Sequence, residues 1–483
     1  MTRRSDQEQL RWQRRANLIK AGIDVYPART NRTTTAADLL SNWRDNQTVT
    51  IAGRIRSFRL QGGSAFLHLA DETAKLQVFF QKKNLSAFTD LTGQIDLGDF
   101  LEVTGTTFVT KRGEKTVDAT TVVWLAKALR PLPSEWHGLE DVELRYRYRE
   151  LDLLSHQDVK RTFIDRARIF SAVHEFLRQR GFLEVETPVL QPIPGGASAK
   201  PFITHHHAVD ADMYLRVAPE LYLKRLIVAG LGRVYEIGRN FRNEGMDRDH
   251  NPEFSEMECY AAFTDYRWMM KLVEDLIIHV TTVIHGQAEI PWPNKKIRLQ
   301  KPFARMTYRQ AVREETGIDV DTIDDKKLRS AATKMKTDLK GKDNRAQMID
   351  EIFKTHVRPK MIQPIFIHDY PIELSPLAKK IFSNPQYTER FQLFIAGTEL
   401  CNAFSELNDP VDQRQRFEAQ ENMRAKGDDE AQRIDETFLR SLEYGMPPTS
   451  GLGVGIDRLV AVILGKKTIK EVILFPTMKP ESP

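Results

Sequence analysis

Cysteine is nearly absent: the 483-residue chain has two, Cys259 and Cys401. They form no CxxC pair, which excludes a disulfide framework and argues against a cysteine zinc site. Long apolar runs are missing as well. No stretch approaches the roughly 18 apolar residues of a membrane span, and MTRRSDQEQLRWQRRANLIK at the start has no signal-peptide core. A reducing, cytoplasmic setting without a membrane partner is expected. Internal repeats, low-complexity tracts and coiled-coil heptads are also lacking. GLGVGIDRL (451–459) has GxGxG spacing without the GK[ST] of a P-loop or the acidic residue of a dinucleotide fingerprint. The adjacent His205, His206 and His207 cannot all face one metal.

What is present is an ordinary globular composition, 41% apolar and 28% charged. The net charge of +5 permits an anionic partner without demanding one. Cations are denser at the start, with Arg3, Arg4, Arg11, Arg14, Arg15 and Lys20 against Asp6 and Glu8. A solvated helix face and a nucleic-acid contact are equally open readings of that cluster.

Composition changes along the chain suggest four regions. Residues 1–47 read as a basic, helix-forming arm. Residues 48–130 carry about five Val-, Thr- and Phe-rich strands broken by Gly and Asp, as in a small Greek-key barrel of the OB kind. Residues 131–154, charge-dense after RPLP, read as a linker. Residues 155–483 form a large α+β region. There Asp158–Arg180 has helical apolar spacing, with Gly181 placed as a C′ glycine. LYLKRLIVAG, GRVYEIGRNF, PIFIHDY, QLFIAGTELCNAF and EVILFPT read as strands, and Tyr266–His285 and Asp412–Ala425 as helices. Trp268, Met269 and Met270 read as core.

Three segments carry chemistry. GFLEVETPVLQPIPGGASAKPF (181–202) runs from helix to strand, broken by Pro188. RVYEIGRNFRNEGMDRDHNPEFSEMECY (233–260) reads as a hairpin. Phe254, Glu256, Glu258 and Tyr260 alternate with Ser255, Met257 and Cys259, so the even-numbered side chains share one sheet face. That face suits a phosphate, an adenine ring and a cationic substrate. In GLGVGIDRLVAVIL (451–464) the glycines allow close backbone approach, and Arg458 can reach a phosphate.

These segments resemble motifs 1, 2 and 3 of class II aminoacyl-tRNA synthetases, in order. FRNEG, HNPEF, IPGGASAKPFITHH, APELYLKRL, NAFSELNDP and GLGVGIDRL resemble the lysine-specific family most closely, and the likeness covers nearly the whole chain. It implies an antiparallel catalytic sheet with helices plus an anticodon-binding OB barrel, a homodimer, ATP and lysine as substrates, tRNA(Lys) as acceptor, and Mg²⁺. By residue, it implies that Arg242 bridges the lysine carboxylate and the α-phosphate. Glu244 reads the adenine amino group, and His250 and Arg458 hold the outer phosphates. Phe254 stacks under adenine, and Asn251 shapes that pocket. Gly196 and Glu220 hold the α-amino group. Glu406, Tyr260 and Glu258 receive the ε-ammonium, and Asn402 and Phe404 line the same pocket. Glu399 binds Mg²⁺, with Gln392 where a second metal-binding glutamate is expected. Arg59, Phe66, Gln77 and Glu114 contact the anticodon. Cys401 and Ala403, beside Asn402, would narrow the lysine pocket, and Asp249 would bring a negative charge near the triphosphate.

A carboxylate attacking a triphosphate needs no covalent nucleophile. It needs two mutually repelling anions neutralised and oriented. An aspartyl or asparaginyl enzyme of the same subclass, one transferring lysine or a relative to a protein, and a non-catalytic RNA-binding paralogue are the rivals. The FSELNDP glutamate, the barrel, and the retained Arg242 and Arg458 argue against them in turn.

Overall fold

The computed structural model describes residues 5–85, 87–132, 139–293, 295–339, 344–425 and 432–480. The chain divides into two compact units, Met1–Leu139 and Glu140–Pro483. Most of the expected linker's proline-rich start lies outside the described residues.

The first unit is a closed five-stranded barrel. Its strands are β1 (Thr48–Gln61), β2 (Ser64–Ala70), β3 (Lys75–Gln81), β4 (Phe100–Val109) and β5 (Lys115–Ala126). They run in the order β1-β2-β3-β5-β4, and β1 closes onto β4. Side chains alternate in and out, so Leu67, Leu69, Val78 and Val103 fill the interior. Residues ahead of β1 belong to the same body: Leu18, Val25, Ala36 and Leu39 share the barrel core. A capping box between Ser5 and Glu8 starts the helix Asp6–Lys20. Within it, buried Arg11 donates to the carbonyls of Leu97, Ala128 and Arg130, and Arg14 pairs with Asp96 at 2.5 Å. Two of the basic residues are therefore committed to the barrel.

The second unit is built on a nine-stranded sheet. Its strands are β6 (Leu183–Glu184), β7 (Arg233–Phe241), β8 (Glu253–Ala262), β9 (Ala304–Thr307), β10 (Ile365–Pro371), β11 (Lys380–Ile381), β12 (Asn384–Ile395), β13 (Thr398–Ser405) and β14 (Thr449–Gly455). The order is β9-β10-β12-β13-β14-β8-β7-β6, with β11 on β12. Pairing is antiparallel except at β9–β10 and β6–β7. Helices Gln157–Gln179, Tyr266–His285 and Ile456–Ile463 cover one face. Val173, Phe176, Met269, Leu276 and Val460 there pack on Met257, Cys259, Cys401 and Leu452. Asp265 caps Tyr266–His285 and Gly286 ends it in the left-handed conformation. Gly181, at φ +76°, does the same after Gln157–Gln179.

Two expected strands are absent. LYLKRLIVAG lies mostly in the helix Glu220–Val228: Glu220, Leu221, Leu223, Lys224 and Ile227 are its buried residues, at helical spacing. EVILFPT (471–477) starts on the last residue of a short 3₁₀ turn, Ile469–Glu471, and continues as turn and irregular chain. Its backbone is satisfied by an arginine instead of a neighbouring strand. The buried Arg149 guanidinium donates to the carbonyls of Lys470, Ile473 and Leu474.

Candidate active site

The sheet face left free by the helices floors a cavity of about 490 Å³. Strict alternation in β8 sends Phe254, Glu256, Glu258 and Tyr260 toward it, as expected, while Met257 and Cys259 enter the core. The register explains the glycines of β14. Gly451 stands opposite Tyr260, Gly453 opposite Glu258, and Gly455 opposite Glu256. On the other side, Gly451 and Gly453 pair with Phe404 and Asn402 of β13. Where a side chain would fill the floor there is only hydrogen. A Cβ on Gly451 would run into the Glu406 carboxylate and the Tyr260 ring.

One end of the cavity is acidic. Glu220 and Glu258 line it, buried to 6% and 5% exposure, and Glu406, at 1%, lies behind this wall and not on it. Glu406 Oε2 forms an ion pair with the Nζ of Lys224, itself fully buried, at 2.5 Å, and neither carboxylate oxygen has a hydrogen-bond partner of ordinary geometry among the described residues. Lys224 also bonds Glu220 at 2.6 Å, one helical turn before it. Tyr260 donates its hydroxyl to Glu258 at 2.9 Å. Burial raises the Glu406 carboxyl well above the usual range even though Lys224 opposes it. Burial, then the neighbouring Glu256 and Glu220, raise Glu258. Burial would lower the Lys224 ammonium, but Glu220 and Glu406 outweigh it and raise it. Gly196, at φ +90°, brings its backbone beside Glu220, where a Cβ would meet Glu220 Cβ at 2.9 Å.

The other end is cationic and aromatic. Arg242 follows β7 and stacks over the Phe254 ring at 4.9 Å, while its buried Nε has no partner among the described residues. Glu244 lies exposed on the same rim. Arg458, on the helix after β14, donates to His250 Nε2 at 3.0 Å and to the Asp249 carbonyl at 3.2 Å. Asp457 anchors that helix by accepting the Ser255 amide at 2.9 Å and pairing with Arg166 at 2.7 Å. The Asn251 carboxamide is occupied internally, donating to the Glu253 carbonyl and accepting the Thr477 amide. Asp249 lines the cavity and lies 3.8 Å from Arg358.

Glu399 and Gln392 line the wall between the two ends. Gln392 Oε1 accepts the Tyr370 hydroxyl at 2.6 Å. Asn402 Oδ1 accepts from Arg390 at 2.8 Å, which leaves its NH₂ as a donor. Ala403 faces the helical core, so it does not narrow the cavity; Cys401 is buried in the same core and only borders the wall. Lys224, Arg390, Lys354 and Arg358 were not picked out from sequence, yet all but Lys224 line the cavity and Lys224 lies directly behind it. Only the i,i+4 spacing of Glu220 and Lys224 offered a signal.

In the barrel, Phe66 lies half-buried on the outer face, not in the core, and stacks on Phe79 with centroids 4.4 Å apart. Arg59 is its exposed cross-strand partner. Gln77 accepts from Thr116 at 2.8 Å, and Glu114 pairs with His68 at 3.1 Å. Phe79, Phe108 and His68 extend this surface and were not anticipated.

The family model "tRNA synthetases class II (D, K and N)" matches residues 141–479, and "OB-fold nucleic acid binding domain" matches residues 49–125. Among curated relatives, the lysine–tRNA ligase of Syntrophomonas wolfei is 45% identical over 99% of this chain and 98% of its own length. That of Carboxydothermus hydrogenoformans is 47% identical over 98% and 97%. That of Moorella thermoacetica is 48% identical over 96% of both. With such identity over both units, this chain belongs to the class II tRNA synthetases of the D, K and N group, in the lysine–tRNA ligase family.

Proposed function

We propose that the cavity is the site where lysine is activated with ATP to lysyl-adenylate and passed to the 3′ end of tRNA(Lys). One observation carries the choice of amino acid: the buried Glu406 carboxylate just behind the cavity wall, whose oxygens have no hydrogen-bond partner of ordinary geometry among the described residues and whose Oε1 lies at Gly451 with the Tyr260 ring. An ε-ammonium completes that site. An acidic substrate would meet three buried carboxylates, and a neutral one would leave Glu406 desolvated and unpaired at a cost of several kcal/mol, about 10³-fold in rate.

Glu220 and Gly196 take the α-amino group, and Asn402 and Phe404 line the side-chain slot. Arg242 pairs the lysine carboxylate with the α-phosphate, which its unpartnered Nε favours. Phe254 supports adenine from below, Glu244 reads its amino group, and Asn251 holds the loop that shapes that pocket. His250 and Arg458 take the outer phosphates, with Lys354 and Arg358 adding positive charge nearby. A lysine carboxylate oxygen attacks the α-phosphorus as the bond to pyrophosphate breaks. The ribose 3′-hydroxyl then attacks the lysyl carbonyl and AMP leaves.

The donor set fits one magnesium ion brought in with the nucleotide, because Mg²⁺ binds through one or two carboxylates plus substrate phosphates. Glu399 would hold it, and Gln392 would offer an uncharged oxygen already shared with Tyr370. When bound, the ion supplies charge neutralisation at the phosphates.

In the barrel, residues 48–130, Phe66 stacks an anticodon base while Arg59, Gln77 and Glu114 give it polar contacts. Residues 155–483 form the catalytic domain, with 140–154 of the preceding 131–154 segment in the same compact unit, and the barrel carries its helical extension, 1–47. Ile164, Leu183, Leu190 and Ile203, each 44–63% exposed, form the apolar material of a homodimer interface. No helix among the described residues is long and apolar enough to cross a membrane, consistent with work in the cytoplasm.

The test is ATP–pyrophosphate exchange with lysine, aspartate, asparagine or no amino acid. Exchange is expected with lysine only, falling about 10³-fold in kcat/KM for Glu406→Gln. Exchange with aspartate, or none in a folded chain, would refute this assignment.

A further inference from the structure

Lys224 is a fully buried lysine that the reaction above does not use. Its ammonium lies 2.6 Å from Glu220 and 2.5 Å from Glu406. These carboxylates come from distant parts of the chain, and the preceding assignment gives one to each amino group of the substrate. Around the ammonium stand the rings of Phe404 and Phe438, at 5.4 and 5.9 Å. The remaining ionisable groups in this region are Glu256, Glu258 and Tyr260 on β8 and Arg390 on β12.

We propose that Lys224 is a positioning residue for lysine recognition, holding one oxygen of Glu220 and one of Glu406 so that both stay ionised and the other oxygens face the substrate. This rests on the reading of the cavity as the lysine site. The argument is one of charge. Three carboxylates buried together cannot all remain ionised unaided, because desolvation and mutual repulsion both favour the protonated form. Arg242 and Arg390 sit toward the nucleotide and the wall, so Lys224 is the cation touching the pair. Without it, burial has nothing to oppose it at Glu406. Removal of Lys224 shifts the carboxyl further toward the protonated form, which weakens the counter-charge offered to the ε-ammonium. A protein-held cation inside a cation-binding site also tightens selectivity. With one Glu406 oxygen taken, only one substrate ammonium fits, at a fixed distance from the α-amino group.

The test uses Lys224→Gln, which keeps hydrogen-bond donors but removes the charge, and Lys224→Arg, which keeps the charge. Both are checked for folding by circular dichroism and read by ATP–pyrophosphate exchange between about pH 6.5 and 8.5, where the ε-ammonium stays charged. For Lys224→Gln, KM for lysine is expected to rise about 100-fold at pH 7 with KM for ATP little changed. That KM should fall about tenfold toward the alkaline end as Glu406 ionises. Lys224→Arg should retain the flat wild-type profile. If the charge mattered only for folding, the folded Gln variant would keep wild-type KM and a flat profile, and the proposal is overturned.

The unaltered chain gives a second reading, should Lys224→Gln not fold. Calorimetry of lysine binding at pH 7, in buffers of different ionisation enthalpy, is expected to show about one proton released or fewer. Release of about two would mean that Glu406 or Glu220 was protonated despite Lys224, contrary to the proposal. Wild-type exchange that does not depend on lysine would instead defeat the functional assignment itself.

Discussion

Arg458 donates a guanidinium hydrogen bond to Nε2 of His250 at 3.0 Å. A guanidinium can only donate, so Nε2 accepts and the ring proton sits on Nδ1, facing the Asp247 carboxylate at 2.8 Å. Asp247 therefore fixes the tautomer that Arg458 reads, and His250 fixes the arginine. Arg458→Ala is expected to lower kcat/KM for ATP about 10²–10³-fold, and His250→Ala about tenfold. KM for lysine should change little in either. Steady-state exchange with each substrate varied in turn measures this. A larger effect on lysine than on ATP would place the pair elsewhere in the reaction.

Gly451 sits between Tyr260 and Phe404 in the sheet floor. Its replacement by alanine forces a methyl group against Glu406, so the ammonium site must deform. Gly451→Ala should raise KM for lysine at least tenfold, since misplacement of about 1 Å costs on the order of 10²-fold. Thermal unfolding should shift only slightly. Calorimetric lysine affinity equal to wild type would show that the floor accommodates a side chain.

Glu258 carries a carboxyl raised by burial and then by Glu256 and Glu220, against an ordinary value of 4.5. The folded chain holds this proton more tightly than the unfolded chain. Its contribution to stability is thus complete below the ordinary value and is lost as pH climbs through the raised one. A bound ammonium favours the ionised form, so lysine binding should expel the proton between those two values. Buffer-dependent binding enthalpy is the readout. Proton uptake would contradict the expected sign.

Phe66 and Phe79 stack on the barrel's outer face. Phe66→Ala should weaken tRNA charging by about tenfold in KM for tRNA, as one lost base stack is worth ~1–3 kcal/mol. Lysine-dependent exchange without tRNA should be untouched. An equal loss in both assays would mean that the substitution unfolds the chain and that no stacking was measured.

Much of the site was legible because it follows from period-two alternation. Once β8 was read as a strand, Phe254, Glu256, Glu258 and Tyr260 had to share a face, and they do. The glycines of 451–455 were legible as a close approach, but not what they approach, since only the register with β8 and β13 reveals it. LYLKRLIVAG misled because Leu and Ile runs suit a buried strand and a buried helix equally. The helical spacing of Glu220 and Lys224 was the signal that separated them. EVILFPT misled because its partner is the Arg149 side chain, more than three hundred residues back. Lys224, Lys354 and Arg358 were missed for a similar reason: a lysine or arginine looks like surface until tertiary packing gives it a partner.

Both thiols of the chain, Cys259 and Cys401, lie buried in the centre of the sheet, and burial pushes each thiol up, away from thiolate formation. Neither is a handle for reagents in the folded state. Alkylation must wait for the central strands to part, so its rate under native conditions keeps time for the opening of the sheet that carries the active-site floor. Slowing of that clock by lysine and ATP would measure, without any assay of turnover, how firmly the ligands fasten the floor.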